Sequence, residues 1–341
     1  MKSMRIMPFC LLTLLAACEQ PPASLPEADS SIQIDQPSAA ELAVTGLLRE
    51  EQTARLRRLG ASSRVFADAV DGLLGDPTEE RLVTAREGWS QLYRSFNEAV
   101  VVLACRASGS APLAAALQRV DPFPILPGYI DGLAEWPDSG IVNDVSLPLT
   151  REALLGQQGV TAQEEISLGF QVIAFLLYGE PAQPRSVAAL TQVTEISADN
   201  PLALDEQPEN RRRTYLALAT TLLVEDLLLL SADTEALLPV GSQCPVDALR
   251  RTTERMIRVA GLHDREAVAG EYFAGHSRTI ALSGLQQAMT PWLAEQSALR
   301  VWLAEAGVQS ALPMAQFSGE PDILILQQLH AGLSAARSML H

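Results

Sequence analysis

Lysine is almost missing from this chain of 341 residues, since Lys2 is its single lysine and its other basic side chains are arginines. Beyond Lys2, therefore, no lysine can form a Schiff base, act as a general base or complete a phosphate-binding P-loop. The chain also has no Cys-x-x-Cys pair, no Gly-x-Ser-x-Gly elbow and no His-Glu-x-x-His helix. These absences exclude the commonest thiol-redox, serine-hydrolase and zinc-peptidase motifs.

Positive charge is also scarce, because 25 basic residues face 41 acidic ones and the formal net charge is −16. Binding to nucleic acids and to anionic lipid headgroups depends on basic patches. We therefore expect no nucleic-acid partner. An acidic surface would tolerate a cationic ligand or a metal ion.

The N-terminus has the pattern of a processing signal. Lys2 and Arg5 form a short positive region, residues 6–15 form an apolar one, and the string Leu-Ala-Ala-Cys ends at Cys18. This pattern resembles a bacterial lipobox, so we expect residues 1–17 to be a lipoprotein signal peptide and Cys18 to carry the lipid. The alternative is an ordinary secretory signal that happens to contain a cysteine.

Residues 18–37 are polar and rich in proline, and such a segment cannot bury enough apolar surface to fold. We expect a flexible tether and a membrane contact through the lipid on Cys18. Glu19, rather than an aspartate, follows the cysteine. By resemblance to the lipoprotein sorting pattern, this residue favours the periplasmic face of the outer membrane.

Two cysteines remain for the body of the chain, Cys105 and Cys244, once Cys10 and Cys18 are assigned to the signal and the lipidation site. In an oxidising periplasm they could form a disulfide. Two buried, unpaired thiols are an equal alternative, because the sequence alone does not show whether their Cα atoms lie within bridging range.

Helical signals run through the rest of the chain, and no alternating strand pattern accompanies them. Residues 76–79, Asp-Pro-Thr-Glu, and residues 161–164, Thr-Ala-Gln-Glu, predict helix starts. Between them, residues 121–148 are dense in proline and glycine and predict a long irregular connection. Residues 211–238 predict one long helix with a buried apolar run.

The predicted fold is all-α, with two helical bundles in tandem. We expect the N-terminal bundle to cover residues 38–200 and the C-terminal bundle to cover residues 201–341. In the second bundle, Pro291 predicts a break between a helix over 264–289 and another over 291–307.

The segment from Gly169 to Gly179 reads Gly-Phe-Gln-Val-Ile-Ala-Phe-Leu-Leu-Tyr-Gly. It resembles the signature helix of the imelysin-like family, which begins with Gly-x-His-x-x-Glu and continues into a similar apolar tail. Gly169 matches, but Gln171 stands at the histidine position and Ala174 at the glutamate position. Histidine and glutamate three residues apart share a helix face and can bind one metal ion. Neither substitute is an equivalent ligand.

The resemblance covers most of the mature chain and includes a Trp-Pro loop at residues 129–137. It implies a two-bundle, all-helical protein of the bacterial envelope, from a family linked to iron uptake and once classed as metallopeptidases. Because Gln171 and Ala174 replace the motif ligands, we expect a degenerate metal site, no catalytic residue and no resident cofactor. Iron and zinc are the metals to test against this expectation.

The family's site lies where the signature helix meets the neighbouring bundle, which implies a pocket between the bundles. The candidate lining residues are Trp89, Glu98, Asp131, Trp136, Gln171, Tyr178 and His276. Aromatic side chains at helical spacing are more often core residues, which is the alternative for the tryptophans and Tyr178. Glu98 or Asp131 could alternatively supply a weak metal site.

A second string, Gly261 to Glu266, matches the motif letter for letter. The apolar tail is missing after it, and Gly261 falls at an expected break between helices. We interpret the match as chance, because a short motif needs its structural context. His263 and Glu266 remain the alternative metal-ligand pair.

The leading hypothesis is a non-enzymatic envelope lipoprotein with a binding or accessory role, linked to iron or metal acquisition. A metal-dependent hydrolase with an unconventional ligand set is the first alternative. The second is a scaffold for an envelope protein complex, which predicts an exposed apolar patch and no pocket. In the leading and the scaffold hypotheses the partner would be another envelope protein.

Overall fold

Two long antiparallel helices, α1 (Ala39–Gly75) and α2 (Glu79–Ser108), form the centre of the fold. The Ser38 hydroxyl accepts a hydrogen bond from the amide of Glu41 and caps α1. The predicted start of the second helix is confirmed, with Thr78 rather than Asp76 as its cap. Both caps satisfy backbone N–H groups that have no partner inside the first helical turn.

The structure is a computed structural model and describes residues 37–180, 183–198, 200–233, 243–261, 275–308 and 321–339. The further α-helices of this part of the chain are α3 (Ala111–Val120), α4 (Pro127–Ile130), α5 (Arg151–Gly156), α6 (Phe170–Tyr178), α7 (Pro208–Ser231), α8 (Gln243–Ala260), α9 (Gly275–Leu293), α10 (Ala298–Glu305) and α11 (Ile323–Met339). A short 3₁₀ helix covers Val187–Leu190, and the two-residue strands β1 (Gly179–Glu180) and β2 (Gln183–Pro184) pair antiparallel. The predicted all-α fold is confirmed.

Both groups of later helices pack on the central pair. Helices α3 and α6 pack against α2 and α7 packs against α1, whereas α8 and α9 pack against α2, α10 packs against α1 and α11 packs on α8. Residues from Pro37 onward form one compact unit. This grouping does not test the predicted division into two bundles at residue 200, which stays a prediction.

Helix α7, Pro208–Ser231, is the one helix of the described residues that is long and apolar enough to cross a membrane by length and composition. Its most apolar window is 56% buried inside the protein, against α1, α3 and α6. This arrangement agrees with the prediction of a buried core helix. Residues 234–238, predicted to continue it, lie outside the described part of the chain.

Two predicted helix boundaries are wrong. The capping box at residues 161–164 starts no helix, and the Thr161 hydroxyl donates instead to the carboxylate of Glu165. The signature helix begins only at Phe170, after Gly169 has turned the chain with φ +104°. The chain has to take this turn first, because it passes close to the end of α3.

The predicted break at Pro291 is also absent, since α9 continues through this proline to Leu293. A proline inside a helix leaves the carbonyl four residues earlier without its N–H donor. Here that carbonyl belongs to Gln287, and Arg55 of α1 donates to it over 3.3 Å. A tertiary hydrogen bond thus replaces the missing helical one.

Candidate functional site

Helix α6, which carries the signature sequence, is buried along its length and held at both ends. At its start, a Cβ on Gly169 would lie 2.7 Å from the carbonyl oxygen of Arg119. The indole N–H of Trp89 donates to the carbonyl of Phe170 over 3.0 Å. At its end, the Arg86 guanidinium donates to the carbonyl of Leu177 over 2.9 and 3.1 Å.

Gln171, at the family's histidine position, forms hydrogen bonds to α2 and to the end of α3. Its Nε2 donates to the Tyr93 hydroxyl over 3.0 Å and to Oδ1 of Asp121 over 3.3 Å. The same hydroxyl donates to the other carboxylate oxygen of Asp121 over 3.2 Å. Gln171 is 3% exposed, so the three side chains form a closed polar network beneath the surface.

Arg255 of α8 completes this network from the opposite side. Its guanidinium donates to Oδ2 of Asp121, to Oδ1 of Asn97 over 3.0 Å and to the Tyr93 hydroxyl over 3.4 Å. It also lies 5.8 Å from the centroid of the Phe96 ring, a distance at which a cation is attracted to the ring face. A permanent cation therefore faces the only carboxylate of the network.

These residues do not fit a family-type metal ion. Ala174, at the glutamate position, is fully buried and has no donor atom. The Gln171 amide directs its NH₂ group, which cannot bind a metal, at the two acceptors. Arg255 already engages Asp121. Among the residues that the structure describes, no three His, Cys, Asp or Glu side chains gather at a spacing that could hold a metal ion.

Trp89 and Tyr178, two candidate pocket residues, lie in a buried aromatic layer next to Gln171. The Trp89 ring stacks on Tyr93 with centroids 5.0 Å apart and meets Tyr178 edge-to-face at 5.9 Å. Phe170 packs on Tyr93 at 4.8 Å. Burial raises the pKa of the half-buried Tyr178. These contacts agree with the alternative that Trp89 and Tyr178 are core residues.

Glu98, another candidate, faces α1. Its carboxylate pairs with Arg55 over 2.9 Å and with Arg58 over 2.6 Å, and its side chain is 5% exposed. Two guanidinium groups thus take up the same Oε2 atom. This arrangement binds α1 to α2 and leaves that oxygen engaged by cations.

Asp131, the next candidate, is buried between two arginines. Arg212 binds both of its carboxylate oxygens, over 2.6 and 3.1 Å, and Arg185 binds Oδ2 over 2.7 Å. Burial lowers the pKa of Arg185 from its ordinary value, and Asp131 opposes that effect. The Asp131 cluster is an ion-pair network between the irregular connection and α7.

Arg212 belongs to a run of three arginines on α7 that hold the irregular segments by their carbonyl groups. Arg211 donates to the carbonyls of Ile141, Val142, Asp144 and Leu147. Arg213 donates to the carbonyl of Leu190 and also to that of Leu74 in the last turn of α1. Because irregular backbone has no internal ladder, such side-chain donors are what satisfy its buried carbonyl groups.

Trp136, unlike the other candidate tryptophan, is 63% exposed. It lies on an ordered turn, where its backbone exchanges hydrogen bonds of 3.1 Å with Leu133 in both directions. The amide of Ala134 donates to the Glu180 carboxylate. The structure therefore presents this side chain to solvent on a hydrogen-bonded turn.

The sequence profile of the family described as Imelysin, peptidase M75, matches residues 52–316. The chain belongs to the imelysin family. A search of curated proteins finds no match. Among solved structures, this imelysin-family chain is similar to a "putative iron-regulated protein A precursor" from Parabacteroides distasonis, at 10% identity and a TM-score of 0.49. That similarity covers 91% of this chain and 97% of the other.

Several sequence-predicted residues of this imelysin lie outside the described part of the chain. They are Cys18, His263 and Glu266. His276 belongs to α9, but its side chain is also outside the description. The proposed lipidation, the alternative metal pair and the place of His276 in a pocket stay predictions.

Cys105 and Cys244 are joined by a disulfide, with their Cα atoms 5.5 Å apart. The bridge connects the end of α2 with the start of α8, the helix that carries Arg255. Beside it, Arg106 donates to the carbonyls of Ala232 and Asp233 at the end of α7. Burial lowers the pKa of Arg106. This corner joins α2, α7 and α8.

Sequence reasoning missed four members of the Gln171 network, namely Tyr93, Asn97, Asp121 and Arg255. Tyr93 follows Trp89 by one helical turn, so it could have been placed on the same face of α2. Asp121 and Arg255 are 134 residues apart. No spacing rule links one arginine to one acid over that distance, so the sequence carries no signal for this pair.

Proposed function

We propose that this chain is a non-enzymatic imelysin-family lipoprotein of the bacterial envelope, with a binding or accessory role linked to iron acquisition. The family supplies the link to iron, and the motif positions supply the argument against a family-type metal site. The active partner in this role would be another envelope protein, and the chain would contribute recognition rather than chemistry.

The observation that carries this proposal is the Gln171–Tyr93–Asp121 network with Arg255 against it. Iron and zinc sites favour imidazole, thiolate and carboxylate donors. The motif positions offer an amide and a methyl group, and the nearest carboxylate is engaged by a guanidinium. A hydrolytic metal centre would also need an open coordination position for water, and this network is closed.

The exposed Trp136 supports a recognition role. Tryptophan is enriched among the residues that carry most of the binding energy at protein interfaces. The hydrogen-bonded turn from Leu133 to Trp136 holds the backbone that carries this side chain, which lowers the entropy cost of ordering the loop on binding. We expect Trp136→Ala to impair the iron-linked phenotype while the protein keeps its thermal stability. Val145→Ala, at a residue 47% exposed, is the matched control.

Metal content and affinity test the functional proposal. We expect purified mature protein to carry no stoichiometric iron or zinc and to give no binding heat with Fe²⁺ or Zn²⁺ in calorimetric titrations. Tight stoichiometric iron would contradict the proposal. If wild type does give a binding heat and His263→Ala abolishes it, the alternative pair at His263 and Glu266 is the site. Chelator-sensitive peptide cleavage would favour the hydrolase alternative.

Lipid attachment is tested separately. We expect cells that express the full chain to incorporate radiolabelled palmitate into it, because the N-terminal pattern resembles a lipobox. Cys18→Ser should remove the label and release the protein from the membrane fraction. Equal labelling of the two proteins would contradict lipidation at this residue, and a secreted, unlabelled wild type would favour the ordinary signal peptide.

A further inference from the structure

We propose that the Arg255 guanidinium is the built-in cation of the degenerate site, taking the place that a metal ion would otherwise hold against Asp121. This inference rests on the proposed function, because it explains how the family's site is maintained without a metal. It assigns to an arginine of α8 the role of holding together groups from α2, the end of α3 and α6.

The guanidinium is surrounded by the ligands that a bound cation needs. Three oxygens face it, namely a carboxylate oxygen of Asp121, the side-chain amide oxygen of Asn97 and the Tyr93 hydroxyl. The Phe96 ring face covers a further side. Oxygen donors of these kinds are also the preferred ligands of hard divalent cations.

Asn97 is oriented for this task by a bond of its own. Its Nδ2 donates to the carbonyl of Tyr93 over 2.7 Å, so its Oδ1 is directed at Arg255. Tyr93 donates its single proton to Asp121, and its oxygen accepts from Arg255 and Gln171. Every acceptor that faces the guanidinium is thus fixed by another bond in the network.

Charge balance makes the cation necessary. The Asp121 side chain is 4% exposed and the Arg255 side chain 21%. The other two side chains that hydrogen-bond Asp121, those of Tyr93 and Gln171, are neutral. A buried carboxylate without a cation is strongly unfavourable. Arg255 removes this cost, and its charge also repels a second cation at the same oxygens.

The prediction is that removal of Arg255 creates a site for an external cation. The experiment measures the melting temperature of the mature protein with MnCl₂ or methylguanidinium chloride, each against NaCl at equal ionic strength. The variants are Arg255→Ala, Arg255→Ala with Asp121→Asn, and Arg119→Ala. Arg119, two residues before Asp121, is the matched control, because its two-bond ion pair is with a different carboxylate, that of Asp226 on α7.

We expect Arg255→Ala to melt several degrees below wild type and to regain part of the loss with either added cation. Wild type, Arg119→Ala and the double variant should show no such gain. The first two keep Arg255 against Asp121, and the double variant has no carboxylate at position 121. No cation response in Arg255→Ala, or an equal response in the double variant, would overturn the proposal.

A conservative variant keeps the test decisive if Arg255→Ala does not fold. Arg255→Lys keeps the charge and Arg255→Met removes it at similar length, so the lysine variant should melt higher. Equal melting temperatures would refute the role of the charge. Failure of the proposed function is distinguishable, because it would be seen as iron binding or chelator-sensitive activity in wild type, whereas this inference is judged on the variants.

Discussion

The side-chain amide of Gln171 donates a hydrogen bond to the hydroxyl of Tyr93 over 3.0 Å, inside a layer where both residues are at most 3% exposed. The residue that replaces the family's histidine is therefore a structural donor. It connects the signature helix with α2, and the substitution changes what the position does without leaving it empty.

The first prediction concerns Gln171. Gln171→Ala should lower the free energy of unfolding by about 2–4 kcal/mol, because it removes two buried hydrogen bonds and leaves a cavity. Gln171→His should lose less, since a neutral imidazole N–H can still donate to Tyr93. Urea unfolding measures both. Gln91→Ala on the exposed side of α2 is the control, and equal stability of Gln171→Ala and this control would refute the structural role.

The second prediction concerns Gly169. Gly169→Ala should destabilise the protein by more than about 3 kcal/mol, because it combines a positive φ with a backbone clash. The new Cβ would lie 2.7 Å from one carbonyl oxygen and 2.8 Å from another. Gly46→Ala is the matched control, since no atom lies within 4 Å of its added Cβ and alanine favours a helix interior by about 0.5–1 kcal/mol. Thermal unfolding should show opposite signs for the two variants.

The third prediction concerns Asp131. Asp131→Asn should cost about 3–5 kcal/mol, because it leaves the buried Arg212 and Arg185 without their carboxylate. Denaturant unfolding with far-ultraviolet circular dichroism measures this loss. Glu225→Gln removes the partner of Arg151 in an exposed ion pair and should leave the midpoint unchanged. If the two variants unfold at the same denaturant concentration, the Asp131 network does not stabilise the fold.

The fold could be predicted from the sequence to the extent that its signals are local. The recurrence of apolar residues and the helix start within residues 76–79 depend on neighbours within one or two turns, and both predictions are confirmed, although Thr78 replaces Asp76 as the cap. The boundary at Gly169 depends on how closely the chain passes Arg119, fifty residues earlier. The helix through Pro291 depends on Arg55. Local signals do not contain such tertiary partners.

The site could be predicted only in part. The substitutions Gln171 and Ala174 are visible in the sequence, because the flanking signature aligns them with the family's motif. The surroundings of the candidate pocket residues Glu98 and Asp131 could not be predicted, since each acid binds a separate pair of arginines. Each acid could in principle meet any arginine of the chain. The long-range packing of α1, α2 and α7 decides those pairs, and no spacing rule encodes it.

The fourth prediction concerns the disulfide. Replacing Cys105 and Cys244 together by alanine should lower the stability by about 2–4 kcal/mol, with a chain-entropy limit of about 5 kcal/mol for so large a closed loop. The bridge spans 139 residues. Thermal unfolding with and without dithiothreitol measures the effect. Reductant should lower the melting temperature of wild type and leave the alanine pair unchanged, and a wild type that is insensitive after complete reduction would contradict this role.

The fifth prediction is a loss of stability in alkali through Tyr215, whose hydroxyl donates to the carbonyl of Ser167 over 2.7 Å. Burial raises the pKa of this phenol well above the ordinary value near 10, and the charges of Tyr129 and Asp131 add to the effect. The unfolded chain therefore releases this proton near pH 10 while the folded chain retains it. Stability that is fully present below pH 10 is lost as the pH rises above it.

Tyr215→Phe separates this residue from the other tyrosines, because phenylalanine has no proton to release. The variant should be less stable than wild type at pH 9, where it lacks one buried hydrogen bond. Between pH 9 and pH 11, however, wild type should lose about 1.4 kcal/mol more than the variant, the free energy of one pH unit beyond the unfolded pKa. Urea unfolding at the two pH values measures the difference, and parallel losses in the two proteins would mean that Tyr215 titrates normally in the fold.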